Sequence, residues 1–475
     1  MKKITITFSF FFSLFLSCYA QMFVNRDTLY GNEWIDYDLE YYKLEVAENK
    51  LYRIDYQELV DVGLITSGEA MEGKSLQVHY MGNEIPIYTS TEGIFGEEDY
   101  IVFYGRKNDG ELDKYLYPNQ EDQLHPKLSF FTDTSAYFLS IETENRPTRI
   151  QSLENNLSTS NITLDYCWQT QEKFFSQYYS IGIGFSGGVS SRYEVGEGYF
   201  GEEGAPLSGN KRLALEIMTP NVKMIEKEAK LELRLFSRSS THRYEINFNN
   251  EELLVDEFSD WAVKNYEIGM SSEIFKEKNT VEIEATANND DRLFFSSYTL
   301  TYPTAIDADG QDYFEFALDA NEETIQIEVQ NFQHNGIAPA LYDLTNNLFL
   351  DGIIENGLVK YAIPPGRNDI REFAMVNPNS YGKLANLQRR IFVEYPLGDR
   401  LRHDYIILTH PKLDVNSNGI NYVQAYANYR ESVEGGANKP IVVDVTQVYD
   451  QFGYGVKRHE QSIKNFLHLA SKSWA

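Results

Sequence analysis

The residues with the clearest potential for covalent chemistry are one cysteine and two histidines. Cys167 lies between a tyrosine and a tryptophan, whereas His410 follows an apolar run and His459 begins a helical pattern. Nucleophilic catalysis by a thiolate needs a histidine beside it and donors that stabilise an oxyanion. Aromatic neighbours in a β-rich setting instead predict a buried, unreactive thiol at Cys167. Both histidines are predicted to be structural or solvent-facing, because the sequence identifies no partner for either.

No short sequence pattern completes a catalytic or cofactor site. The histidines lack the HExxH spacing of a zinc site. A dinucleotide-binding spacing occurs at Gly182, Gly184 and Gly187, but the buried strand and the helix that this motif requires do not flank it. These glycines are predicted to form an ordinary loop. The sequence therefore predicts no catalytic residue and no cofactor.

Side-chain oxygens suited to a metal ion cluster in three loops, but turns use the same residue types. The loop that begins at Asp414 imitates a calcium-binding loop, except that Ala425 occupies the twelfth position, where calcium requires a bidentate glutamate. We therefore predict turns and a helix-start loop, with no metal ligands. The residues concerned are Asn108, Asp109, Gly110 and Asp113, then Asp307, Asp309 and Asp312, and finally Asp414, Asn416, Asn418 and Gly419.

Residues 1–20 have the pattern of a secretory signal peptide. Two lysines precede an apolar run over residues 4–16, and Ala20 offers a small residue for cleavage. Cys18 leaves a lipoprotein signal open as an alternative, although Phe15 stands where such signals usually carry leucine. No later segment reaches the roughly 20 apolar residues of a membrane helix, so we expect an exported chain that does not span a membrane. Cleavage leaves Cys167 alone, without an internal disulfide.

The composition indicates a large, acidic, β-rich protein. At about 150 residues per domain, a chain of 475 residues predicts several cores and roughly three domains. Asp and Glu number 71 against 42 Lys and Arg, which gives a net charge of −29 and argues against a nucleic-acid partner. The 34 tyrosines and 29 phenylalanines oppose disorder and favour strands.

Residues 21–150 are predicted to form a β-rich N-terminal domain that contains two hairpins. Apolar and polar residues alternate in each arm, and short polar turns separate the arms. Pro86 indicates an edge strand, because proline cannot donate a hydrogen bond to a neighbouring strand. The first hairpin is predicted over 42–46 and 51–56, the second over 76–80 and 84–88, and a buried strand over 100–104.

The middle of the chain is predicted to contain a connector followed by two β-rich segments. Serine, asparagine and glycine clusters in residues 151–209 indicate a connector with ordered aromatic anchors. A β-sandwich-like domain is predicted over 210–303 and a second β segment over 304–400, because short alternating runs recur there. The predicted strands cover 230–236, 244–248, 280–285, 293–302, 324–329 and 358–363.

Residues 401–475 change character and predict the start of a parallel α/β domain. The apolar runs 405–409 and 439–445 indicate buried strands, and each precedes an apolar stripe at helical spacing. The stripes comprise Val423, Tyr426, Ala427 and Val433, with a stop at Gly435 and Gly436, and then Ile463, Phe466, Leu467 and Ala470. Two parallel strands cannot make a doubly covered sheet alone, so an incomplete unit is expected.

Several segments resemble the sortases of the type IX secretion system, which are gingipain-type cysteine peptidases. The resemblance follows the family's order over most of the mature sequence. Its terminal part is similar to the opening of the gingipain-type peptidase domain. The segments are 99–105, 108–110 with Asp113 and 116–117, 131–138, 193–201, 338–345, 441–445, 448–452 with Gly455, and 463–467.

The resemblance implies a surface enzyme that removes C-terminal sorting domains from cargo and passes the acyl-enzyme to an amine on anionic lipopolysaccharide. It also implies a Gram-negative outer-membrane surface location, with a secretion-system protein and cargo sorting domains as partners. The family's catalytic His and Cys follow later strands, so they are expected beyond residue 475 and this chain is predicted to be inactive alone. The alternative is a non-catalytic β-rich surface module that binds a partner through exposed Tyr and Phe side chains.

Overall fold

The structure is a computed structural model, and its architecture is mainly β, as the sequence predicts. Among the residues it describes, no helix is both long enough and apolar enough to cross a membrane. The predicted signal peptide lies outside the described residues. These are 22–24, 27–66, 70–143, 147–160, 162–182, 193–201, 203–204, 212–366, 369–384, 387–395, 403–414 and 418–474.

The N-terminal region is a sandwich of a five-stranded and a three-stranded sheet, and its first two strands pair with each other in a separate sheet. Apolar side chains that alternate along the strands, such as Leu44, Ile54 and Val78, meet in one core between the sheets. Its strands are β1 (Met22–Val24), β2 (Asp27–Leu29), β3 (Tyr41–Val46), β4 (Lys50–Asp55), β5 (Leu76–Tyr80), β6 (Asn83–Ile85), β7 (Tyr88–Thr89), β8 (Tyr100–Gly105) and β9 (Ser135–Ile141), with helix α1 (Tyr56–Asp61) and 3-10 helices at Gly73–Ser75, Glu111–Leu116 and Gln120–Asp122.

One of the two predicted hairpins forms and the other does not. β5 and β6 pair antiparallel through Val78 and Ile85, and β6 lies at the edge of its sheet just before Pro86. β3 and β4 were predicted to pair, but β3 pairs with β9 and β4 with β8. That prediction is wrong because the two strands enter opposite sheets of the sandwich, where both can bury an apolar face. Tyr56, predicted to end a strand, begins α1.

The described part of the segment predicted as a connector contributes six strands, one of which is central to the ten-stranded sheet. Its position there follows from alternating side chains that have core partners on one face, including Cys167. The strands are β10 (Gln151–Leu153), β11 (Ile162–Leu164), β12 (Cys167–Phe174), β13 (Tyr178–Ile181), β14 (Glu197–Phe200) and β15 (Glu203–Gly204), with a 3-10 helix at Leu157–Thr159.

All but the last of the following strands help to build two sandwiches, and the β runs predicted between residues 230 and 363 all form strands. They are β16 (Arg212–Met218), β17 (Ala229–Ser237), β18 (Thr241–Phe248), β19 (Glu251–Ser259), β20 (Ala262–Met270), β21 (Lys278–Ala285), β22 (Leu293–Thr304), β23 (Tyr313–Asp319), β24 (Ile325–Val329), β25 (Ala340–Asp343), β26 (Leu348–Asp351), β27 (Ile353–Glu355), β28 (Leu358–Ile363), β29 (Ile370–Val376) and β30 (Gln388–Arg390), with a 3-10 helix at Ser272–Ile274.

A ten-stranded sheet is shared by both sandwiches and crosses the predicted boundary at residues 303 and 304. Its main path runs β10-β26-β25-β29-β23-β12-β22-β17-β20, and β15 pairs with β22. One half packs on the four-stranded sheet β16-β21-β18-β19, and the other half packs on β11-β24-β28-β27. The chain then returns to the N-terminal sandwich, where β30 pairs with β3.

The C-terminal region is a small α/β layer. Its strands pair in parallel, and its helices enclose a core that includes Val448, Phe452, Phe466 and Trp474. The elements are β31 (Tyr405–Thr409), a 3-10 helix at Pro411–Leu413, α2 (Tyr422–Glu431), β32 (Pro440–Asp444), α3 (Val445–Phe452) and α4 (Glu460–Ser473).

Candidate functional site

The C-terminal layer contains a strand–helix–strand unit, as predicted. β31 and β32 pair in parallel from Tyr405 opposite Pro440 to Thr409 opposite Asp444, with α2 as the crossover. In open α/β folds, reacting groups gather at the carboxyl ends of such strands. Here Thr409 and Asp444 end the two strands side by side. This edge is therefore the place where the layer presents polar groups.

Local hydrogen bonds occupy the polar groups at this edge. Asp444 caps α3, because its Oδ1 accepts hydrogen bonds from the backbone N–H and the hydroxyl of Thr446, both at 2.8 Å. The Thr409 hydroxyl donates to Asp414 Oδ1 at 3.4 Å. Helix α3 was not predicted, although an aspartate followed by an apolar run at helical spacing is a helix-start signal. Local hydrogen bonds at helix ends therefore hold the polar groups of this edge in place.

His410 and His459 both act as helix caps. His410 Nδ1 accepts from the backbone N–H of Lys412 at 3.1 Å, and His459 Nδ1 accepts from that of Gln461 at 3.1 Å. Each ring therefore satisfies a backbone donor that a helix start leaves unpaired. His459 is structural, as predicted, and its other ring nitrogen has a partner that the sequence analysis did not identify.

That partner is Asp113, in the N-terminal region. His459 Nε2 lies 2.9 Å from Asp113 Oδ1, and both side chains are fully buried. Asp113 also accepts from the Ser129 hydroxyl at 3.1 Å and from the Phe130 backbone N–H at 2.8 Å, and Phe131 packs against the His459 ring. Serine, aspartate and histidine meet here, but the aspartate stands between the other two. The serine therefore lacks the adjacent base that a nucleophile requires.

A second polar contact joins the α/β layer to the N-terminal sheet. Lys43 of β3 is almost fully buried and forms an ion pair with Asp450 of α3, and it also donates to the Gly455 carbonyl at 3.2 Å. Arg390 of β30 reaches the same carboxylate at 2.9 Å. A buried cation is costly unless it is paired, so Asp450 makes the burial of Lys43 possible.

Close backbone packing reinforces these contacts at Gly455. This glycine has φ +82°, and a Cβ added there would lie 2.3 Å from the Ala136 Cβ atom of the N-terminal sheet. Only glycine satisfies both the left-handed backbone and the available space. No local sequence pattern signals this interface, because its members are separated by several hundred residues.

The remaining thiol is far from this interface and is unsuited to nucleophilic chemistry. Cys167 is fully buried in the core beneath the ten-stranded sheet, as predicted, and burial raises the pKa of its thiol to about 12. Its Sγ lies 3.8 Å from the Ala305 carbonyl oxygen. A thiol with such a pKa holds its proton at neutral pH, so the nucleophilic thiolate is scarce.

The oxygen-rich loops use their side chains in turns. Asn108 bonds the Thr132 carbonyl and the Gly110 backbone N–H, and Asp307 accepts both from Asn331 Nδ2 and from the Asp309 backbone N–H. Among the described residues, no group of three or more His, Cys, Asp or Glu side chains could hold a metal ion. The third loop is described only in part, because Asn416 lies outside the described residues, as do Gly184 and Gly187 of the glycine motif.

A cleft lies elsewhere, between the N-terminal sandwich and one face of the ten-stranded sheet. It has a volume of about 1040 Å³, and residues of both regions line it. Two wall residues, Tyr104 and Tyr313, donate hydrogen bonds to Glu315 at 3.0 and 2.6 Å. Burial is the main cause that raises the pKa of Glu315. We call this cleft the sheet groove.

Comparison with known proteins matches both the terminal layer and the architecture before it. Residues 399–475 match Peptidase family C25. The crystal structure of dimeric latent PorU from Porphyromonas gingivalis aligns with a TM-score of 0.54 and 12% identity, covering 93% of this chain and 40% of that chain. The chain is PorU-like in fold. It spans about 40% of the length of that PorU structure.

Two carbohydrate-binding modules align over smaller parts of the chain. The CBM36-1 domain of a xylanase from the hindgut metagenome of Trinervitermes trinervoides has 11% identity and a TM-score of 0.17, covering 28% of this chain and 96% of that chain. A family 35 module from Clostridium thermocellum has 8% identity and a TM-score of 0.16, covering 28% and 90%. At these scores neither likeness bears on fold or function. No curated protein matches the chain.

Proposed function

We propose that this chain is the non-catalytic N-terminal part of a type IX secretion sortase. In this proposal the complete enzyme removes C-terminal sorting domains from exported cargo and attaches the cargo to surface lipopolysaccharide. One observation carries the proposal. Residues 399–475 match the C25 peptidases, and the described part of this segment is a parallel α/β layer anchored on the N-terminal sandwich through buried polar contacts.

The role assigned to the described residues is to support the peptidase layer. The contacts of Asp113 with His459 and of Lys43 with Asp450 connect the sandwich to α4 and α3. Both helices pack around Phe452 and Phe466, which share a core with β32. Fixing these helices fixes the strand edge where Thr409 and Asp444 end. The sandwich therefore orients the opening of the layer without supplying a reactive group.

The absence of activity in this chain alone is part of the proposal. Its support is the state of Cys167, which is buried in another core and holds its proton. Purified residues 21–475 should therefore give no cysteine-dependent cleavage of a synthetic sorting-domain substrate and no labelling by a thiol-directed active-site probe. A Cys167→Ala variant is the matched control and should behave identically. Cleavage that the wild-type chain performs and the variant does not would overturn the assignment.

The biological role and the location need a cellular experiment. We propose that the chain belongs to an exported protein at the outer-membrane surface, with a secretion-system protein and cargo sorting domains as its partners. Deleting the encoding gene in its host should leave secreted cargo with uncleaved sorting domains, and protease added to intact cells should digest the protein. Normal cargo processing in the deletion strain would instead favour a non-catalytic surface binding module, whose exposed Tyr178 and Tyr179 side chains would offer contacts.

A further inference from the structure

The sheet groove lies where the N-terminal sandwich meets one face of the shared sheet, and residues of both regions line it. Alternation along β12 sends Cys167 into the core and Trp168 to the opposite face, and along β23 it sends Phe314 and Phe316 inward and Glu315 outward. Trp168 pairs with Ala317, two residues along β23 from Glu315. Trp168 and Glu315 are therefore diagonal neighbours on one face, about 7–8 Å apart.

Trp168 lines the groove, and its buried indole N–H lacks a partner among the described residues. The residue is only 6% exposed. Leaving a buried donor unpaired costs free energy, and native proteins rarely do so. A ligand that brings an acceptor oxygen into the groove would recover this energy.

Glu315 offers the opposite kind of group at the neighbouring position. Tyr104 and Tyr313 both donate to its Oε1 atom, which leaves Oε2 without a donor among the described residues. Glu315 forms no ion pair in the described part of the chain, and Glu228, also on the wall, forms none either. A half-buried carboxylate of this kind is stabilised by a ligand cation.

The charges along the groove favour a cationic ligand over an anionic one. Among the described residues, its walls carry eight carboxylates and four basic side chains. Three of the four cations already have acidic partners: Lys230 contacts Glu232 at 2.7 Å, Arg106 contacts Glu372 at 3.5 Å, and Lys127 is paired with Glu172. The whole chain also carries a net charge of −29. Electrostatic complementarity therefore selects a positively charged partner.

We propose that the sheet groove binds an extended polypeptide segment through a lysine or arginine side chain at Glu315 and a backbone carbonyl at Trp168. An extended chain supplies both groups, because each residue has a carbonyl oxygen and a basic side chain can reach several ångströms away. The volume of about 1040 Å³ lies at the upper end of the roughly 300–1,000 Å³ common for small-molecule sites and accommodates several residues. The groove is separate from the peptidase layer, so this proposal does not rest on the proposed function.

A binding titration with residues 21–475 tests the proposal. The probe is a fluorescein-labelled nonapeptide of alternating lysine and threonine, followed by fluorescence anisotropy. We expect this peptide to bind, and we expect its affinity to fall as the salt concentration rises, because the charges of the groove attract the peptide. Glu315→Gln should weaken binding about tenfold, and Trp168→Phe about threefold, since each removes one hydrogen-bonding group and keeps the shape. Glu251→Gln, at an exposed position on β19, is the matched control and should leave affinity unchanged.

Comparison ligands and fold measurements make the outcome decisive. A peptide of alternating glutamate and threonine and the neutral oligosaccharide cellohexaose should both bind at least about tenfold more weakly than the lysine peptide. The proposal is overturned if either of them binds as tightly, if the lysine peptide does not bind, or if Glu315→Gln retains full affinity. Circular dichroism and thermal unfolding show whether each variant is folded. If Glu315→Gln is unfolded, the salt series on the wild-type chain decides, and an affinity independent of salt overturns the proposal.

Discussion

His459 Nε2 lies 2.9 Å from Asp113 Oδ1 across 346 residues of sequence, and neither side chain is exposed. His459 Nδ1 accepts a hydrogen bond from a backbone N–H, so the hydrogen of the imidazole ring is on Nε2. That N–H donates to Asp113. Asp113 thereby collects three donors from the N-terminal sandwich and the α/β layer. The layer is held to the sandwich by a satisfied buried network.

Removing the Asp113 carboxylate should destabilise the chain. Asp113→Ala leaves the Ser129 hydroxyl, the Phe130 N–H and the His459 ring without their acceptor, so we expect a loss of about 3 kcal/mol in the free energy of unfolding. Urea denaturation measures it, and hydrogen exchange of α4 should rise. Asp133→Ala, at an exposed position of the same region, is the control. A loss no larger than that of the control would contradict the role of the network.

The buried ion pair between Lys43 and Asp450 should show strong coupling. Asp450→Leu leaves Lys43 charged and buried, so we expect it to cost about 3 kcal/mol or more, and Lys43→Met should also destabilise. The double variant should recover most of the loss, because it buries two apolar side chains instead of one unpaired charge. A double-mutant cycle by urea denaturation measures the coupling. Strictly additive losses would show that the two side chains do not depend on each other.

Cys167 should be inert in the folded chain. With a pKa of about 12, only about one thiol in ten thousand is ionised at pH 8. Iodoacetamide should therefore leave residues 21–475 unlabelled over hours and label them rapidly once guanidinium unfolds the protein. Mass spectrometry reads the modification, and Cys167→Ser controls for labelling at other side chains. Fast labelling under native conditions would place the thiol in an accessible position.

Acid should destabilise the fold partly through His125. This ring is fully buried, and burial lowers its pKa from 6.5 to about 4. The folded state holds the ring neutral while the unfolded state takes up a proton, so its stabilising contribution is complete above pH 6.5. That contribution is lost as the pH falls towards 4, and it amounts to about 3 kcal/mol.

Comparison with a non-titrating side chain isolates this contribution. His125→Gln should show a flatter decrease in unfolding free energy between pH 6.5 and 4 than the wild-type chain, because the glutamine binds no proton in either state. His334→Gln, at a half-buried position outside this core, is the matched substitution elsewhere in the chain. Identical slopes for the wild type and His125→Gln would contradict a neutral buried ring.

Local patterns in the sequence were enough to predict the element types of much of the chain. Apolar runs predicted β31 and β32 and their parallel pairing, and alternation predicted β17, β21 and β22. Pro86 identified an edge, because the missing N–H excludes a neighbouring strand at that position. These predictions hold since they depend on residues within a few positions of one another. The aromatic residues beside Cys167 also predicted that its side chain is buried.

Only the tertiary structure decided which distant elements meet. Alternation in β3 and β4 specifies two half-buried strands, but it does not say which sheet each strand joins, so the predicted hairpin failed. Lys43, Asp113 and Glu315 each have a partner that lies far away in sequence, and a charged residue carries no local sign that it will be buried. Long-range pairing depends on how whole sheets pack and on where each buried polar group finds a partner, which no short window of sequence contains.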